Sequence, residues 1–148
     1  MSEVINTPVG YQVDGKAFQG HLLHRRGATP SRGLLMAPNF FGVTERALDQ
    51  AEQLLDDDSV IFVFDPFGVE GRPQTPEQAM AAMGALREDN HALRARLAEA
   101  QAVLTREAGA LGVPADRLAA FGFCFGGACV LELARAGADL RAFVSFHG

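Results

Sequence analysis

The segment Gly122-Phe123-Cys124-Phe125-Gly126-Gly127 constrains this chain more than any other. It follows the uncharged apolar run Leu118 to Phe123 and precedes an alanine-rich stretch, Ala128 to Ala136, that ends near Gly137. The run suits a strand buried on both faces, and the stretch suits a helix. A Gly-x-nucleophile-x-Gly pattern between the two predicts a sharp strand-to-helix turn with Cys124 at its tip, where glycines leave room that neighbouring Cβ atoms would fill. At the start of a helix, the dipole and the unpaired N–H groups favour the anionic, nucleophilic form of sulfur. Read as packing alone, the glycines would mark only a close strand–helix contact. The strand before the turn and the helix after it favour a nucleophile elbow.

The rest of the chain alternates in the same way. Val9 to Val13 and Phe18 to His24 form an opening hairpin around Asp14-Gly15. Gly33 to Ala37 is the next strand, and Thr44 to Leu55 a helix with Leu48, Ala51, Leu54 and Leu55 on one face. Val60 to Phe64 is a buried strand broken by Asp65-Pro66-Phe67-Gly68. Thr75-Pro76-Glu77-Gln78 carries an N-cap, a proline at the first helical position and a capping-box glutamine. The helical segment it opens runs to about Gly109, with a break near Gly84 to Asn90, and its Arg87, Arg94, Arg96 and Glu99 read as a solvated face. Ala142 to Phe146 is a final strand ending at His147-Gly148. Strands alternating with helices predict a mostly parallel sheet flanked by helices, in an α/β fold. Ligand sites in such sheets lie beyond the carboxyl ends of the strands, which gathers Asn39, Asp65, Cys124 and His147 at one edge.

The chain has 148 residues, a length suited to one domain. A net charge of -5 without any basic cluster argues against nucleic acid. No apolar stretch approaches the roughly 20 residues that span a bilayer, and the start lacks a signal-peptide layout, so the expected location is cytoplasmic and without a membrane partner. Cys124 and Cys129 have neither disulfide nor zinc spacing; Cys129 reads as a small core residue. No phosphate loop, dinucleotide fingerprint or metal-ligand cluster occurs, so neither a cofactor nor a metal is expected.

Together, GFCFGG after a buried strand, Pro38-Asn39-Phe40-Phe41-Gly42-Val43 after an earlier one, and Asp65-Pro66-Phe67-Gly68 between them resemble the dienelactone hydrolase family over nearly the whole chain. The resemblance implies the α/β-hydrolase fold and cleavage of an ester or lactone by a cysteine, histidine and aspartate triad. Carried over by position, Cys124 is the nucleophile, and the backbone N–H groups of Phe40 and Phe125 form the oxyanion hole. Asn39, Phe41, Phe67 and His147 are pocket-lining candidates. Asn39 stands where dienelactone hydrolase itself has a glutamate; an amide takes up no proton at neutral pH, so activation of Cys124 would rest on a histidine and the helix dipole.

In that family the aspartate and histidine follow the elbow on later loops. Asp139 is expected at the opposite edge of the sheet from Cys124, and His147 aligns with a strand-end residue rather than with the catalytic histidine. The chain therefore reads as the N-terminal part of one hydrolase domain, 1–148, with later strands and helices missing. Its expected partners are a small ester or lactone and the segment, or second chain, that completes the domain. A non-catalytic binding module and a redox-reactive thiol are the competing readings. Neither calls for the oxyanion loop or the glycines after the elbow.

Overall fold

A computed structural model describes residues 3–146. The chain opens with β1 (Val4–Val13) and β2 (Lys16–Arg25), paired antiparallel from Val4 opposite Arg25 to Val13 opposite Lys16. The turn residues Asp14 and Gly15 have φ of 50° and 79°, the left-handed pair that lets a two-residue turn follow the twist of its strands.

After the hairpin come β3 (Arg32–Ala37), α1 (Glu45–Leu54), β4 (Ser59–Val63), α2 (Pro76–Glu88), α3 (Asn90–Ala110), β5 (Leu118–Phe123), α4 (Phe125–Arg135) and β6 (Phe143–Phe146). Among the described residues they form one sheet in the order β1-β2-β4-β3-β5-β6. β4, β3, β5 and β6 run parallel, whereas β2 pairs antiparallel with β4.

The crossovers assign the helices to faces. The chain steps one way from β3 to β4 and the other way from β4 to β5 and from β5 to β6, and right-handed connections then put α1 on one face and α2, α3 and α4 on the other. Two cores result. The larger joins Leu35, Phe62, Phe64, Leu118 and Ala120 of the sheet to Leu97, Val103 and Leu104 of α3 and Cys129 and Val130 of α4. The smaller joins Leu23, Met36, Ile61 and Val63 to Ala51 and Leu55.

The helix starts follow their local signals. Thr44 caps α1 and Thr75 caps α2, with Pro76 in the first turn. Gln78 reaches back to the backbone N–H of Gln74 at 2.7 Å, one residue earlier than a capping box requires. The expected break in the long helix falls at Asp89, which ends α2 through its N–H and caps α3 through its side chain.

Three expectations are corrected. β5 is not buried on both faces: Leu118, Ala120 and Gly122 are buried, whereas Ala119, Phe121 and Phe123 are half-exposed. On that side α1 packs over β2 and β4 and leaves β5 and β6 uncovered. For the same reason Leu54 is 49% exposed rather than buried, and lines an apolar groove of about 430 Å³ with Leu34, Phe121, Phe123, Val144 and Phe146.

The arginines of α3 are not merely solvated. Arg94 Nε donates to Glu132 Oε1 of α4 at 2.7 Å, and Arg96 Nη1 donates to Pro66 O at 2.6 Å with its guanidinium 5.1 Å from the Phe18 ring centre. Their long stems cross the helix surface to polar groups at its seams. The Arg94 hydrogen bond holds the Glu132 carboxyl below its ordinary value against the opposing effect of desolvation, and Arg135 adds to it.

No helix among the described residues is long and apolar enough to cross a membrane.

Candidate active site

Cys124 is the residue between β5 and α4, with φ 55° and ψ −116°. Besides Asp14 it is the only non-glycine residue with positive φ among the described residues. A cysteine held there is strained, and the surrounding structure has to enforce it. Gly122 and Gly126 are what make that enforcement possible. A Cβ on Gly122 would strike the Gly126 carbonyl, and one on Gly126 would strike the backbone carbonyls of Ala37 and Pro38, so α4 starts directly against the end of β3. The Cys124 N–H donates to Phe146 O at 2.9 Å, tying the elbow to β6.

The thiol is exposed and makes no capping bond to its own helix. Cys129, one turn further, is buried, and burial pushes its thiol up to about 12, so it is a core residue as expected.

Facing the elbow across Ala37 and Pro38 is the loop Asn39 to Val43. Its form is set by Asn39, whose side-chain oxygen accepts from Phe41 N at 3.1 Å and whose carbonyl accepts from Gly42 N at 2.9 Å. Asn39 is half-buried, and its side-chain oxygen is used in shaping the loop. Gly42, with φ 79°, completes the turn.

The Phe40 N–H and the Phe125 N–H, the latter in the first turn of α4, have no acceptor among the described residues. Phe40 packs against the larger core. Phe41 is 40% exposed at the rim, its ring 4.4 Å from that of Phe40. Phe67, grouped with these on sequence, is buried in the core, its ring stacked on Phe125 at 6.1 Å and 3°.

Asp65 is brought to the same strand-end edge, but it is 1% exposed and fully engaged. Oδ1 accepts from Phe67 N and Gly68 N, and Oδ2 from Gln19 N and Arg72 Nη2. It is a loop anchor. Asp139 is exposed in the connection from α4 to β6, at the opposite end of the strands from Cys124. His147 lies outside the described residues. His21 is on β2 with Nδ1 2.8 Å from Asn6 Oδ1, and burial holds its pKa below the ordinary value. No group of three metal-ligating side chains occurs among the described residues.

A strained cysteine at a strand–helix elbow, with unpartnered amides on the turn and on the facing loop, is the arrangement of an α/β-hydrolase. Residues 18–148 match the dienelactone hydrolase family model, and the chain belongs to that family. Two solved structures are similar over nearly all of it. The protein m3DLH is 33% identical with a TM-score of 0.87, over 97% of this chain and 59% of its own. A dienelactone hydrolase-like promiscuous phosphotriesterase, P91, from metagenomic libraries is 30% identical with a TM-score of 0.88, over 98% of this chain and 59% of its own. The dienelactone hydrolase of Anabaena variabilis, at 23% identity and a TM-score of 0.65 over 96% of this chain and 62% of its own, shares the fold. No curated protein matches. The chain thus spans 59% of the length of the first two relatives.

Proposed function

We propose that this chain provides the nucleophile and oxyanion hole of a hydrolase acting on a carboxylic ester or lactone. The Cys124 thiolate attacks the carbonyl carbon, and the Phe40 and Phe125 amides hold the oxygen as it gains charge. Collapse expels the alcohol oxygen with its electron pair and leaves a thioester on Cys124. The expelled alkoxide takes up a proton from the solvent as the alcohol; water then attacks the thioester, giving the carboxylic acid and the Cys124 thiolate and returning one proton to the solvent. The strain stored at Cys124, φ 55°, is the observation that carries this reading, because neither a redox thiol nor a binding module needs it.

The histidine and aspartate are proposed to come from polypeptide outside these 148 residues, a continuation or a second chain. The length of the relatives and the uncovered groove of β5 and β6 support this. Each backbone donor is worth about 3 kcal/mol of barrier and a general base about 3 to 5, so the 148-residue chain alone should acylate and then stall.

Mixing the chain with p-nitrophenyl acetate should release one burst of p-nitrophenolate and leave an acetyl group on Cys124, readable by intact mass. Cys124→Ala should show neither; ester cleavage undiminished in that variant would sink the proposal. Phosphotriesters, named for P91, are a second class to assay in the same format.

A further inference from the structure

One aromatic ring touches both halves of the candidate oxyanion hole. Phe67 stacks on Phe125, whose amide is one donor, with ring centres 6.1 Å apart. It also lies against Gly42, near the end of the loop that carries the second donor. A Cβ on Gly42 would lie 3.1 Å from Phe67 Cδ2 and 3.3 Å from Cε2, so the loop backbone rests on the ring.

Phe67 is itself held firmly. Its N–H and that of Gly68 donate to Asp65 Oδ1 at 3.1 and 3.0 Å, and Arg96 fixes the preceding carbonyl, Pro66 O, at 2.6 Å. The hairpin clamps the same segment through Gln19 N to Asp65 Oδ2 at 3.0 Å and Val69 N to Ala17 O at 2.9 Å. At 7% exposure the ring is a packing surface.

Backbone donors have no rotamers. Their separation is set by whatever the two backbones pack on, and hydrogen bonds to a developing oxyanion are steep in distance and angle. We propose that Phe67 is a positioning residue that sets the spacing of the Phe40 and Phe125 amides. The inference rests on the proposed role of those amides in acylation of Cys124.

The test compares two reactions of the same sulfur. In acylation by p-nitrophenyl acetate the sulfur–carbon bond forms through an oxyanion, and p-nitrophenolate leaves with the electron pair. In alkylation by iodoacetamide sulfur displaces iodide and no oxyanion forms. Phe67→Leu should slow acylation at least about tenfold while alkylation changes less than about twofold. Leu104→Ala, a truncation in the same core beside Gly33 and remote from the elbow, should leave the ratio of the two rates unchanged. If Phe67→Leu gives no cooperative melt, Phe67→Met carries the same measurement. Equal changes in both rates, or a ratio that falls as far in Leu104→Ala, overturn the inference. Wild-type protein that is alkylated but never acylated overturns the proposed function itself.

Discussion

β4 and β5 are built from equally apolar runs, yet the finished molecule treats them differently. Every residue of β4 is buried, with helices on both faces of the sheet there. β5 is closed by α3 and α4 on one face and carries half-exposed phenylalanines on the other. The turn that holds Cys124 grows from the half-covered strand. Rigidity at Cys124 comes from the glycine contacts between α4 and the end of β3 and from the bond of its N–H to Phe146 O. The thiol itself is exposed at the strand end.

Breaking the seam between the two regions should have the largest effect. In Gly126→Ala the new methyl would meet main-chain carbonyls of Ala37 and Pro38 that no rotamer change can move. A loss of more than about 3 kcal/mol, read from the urea midpoint, is expected. A midpoint equal to wild type would show that α4 does not start against β3.

The contrast between strands is sharpened by a pair of truncations. Phe62→Ala, at 0% exposure, should cost about 3–5 kcal/mol, and Phe146→Ala, at 44%, no more than about 1 kcal/mol in the same denaturation experiment. Similar losses would mean that the open face is covered in solution.

The smallest effect is at the α3–α4 seam. Glu132→Gln should cost about 1 kcal/mol at neutral pH. The folded Glu132 carboxyl lies below its ordinary value of 4.5, so its contribution is fully present above that pH and is lost as pH falls through the folded value. Wild type should destabilise more steeply than Glu132→Gln below about pH 4.5, as measured by thermal melts across that range; parallel curves would remove Glu132 from the acid response.

What the sequence disclosed was mostly local. Asp14-Gly15, Thr75-Pro76 and the Val60 to Phe64 run state their turn, cap and strand within a few residues, and the elbow motif places Cys124 and Phe125 together with the helix that follows. The loop role of Asn39 was also within reach, since an asparagine two residues before an amide is an ordinary turn former. The remainder depends on contacts between distant segments. Nothing near Arg94 announces Glu132, 38 residues away, and nothing near Phe67 announces that its ring lies against both Gly42 and Phe125. The exposure of Leu54, Phe121 and Phe123 follows from where α1 lands, which periodicity does not encode.

The bond from the Cys124 N–H to Phe146 O also orders events in time. On a ribosome adding about 5–20 residues per second, the hairpin and the β3–β4 pair are complete while the elbow still lacks its acceptor. The Cys124 backbone gains that bond only after Phe146 has emerged. The left-handed backbone at Cys124 is thus secured later than the hairpin and the β3–β4 pair.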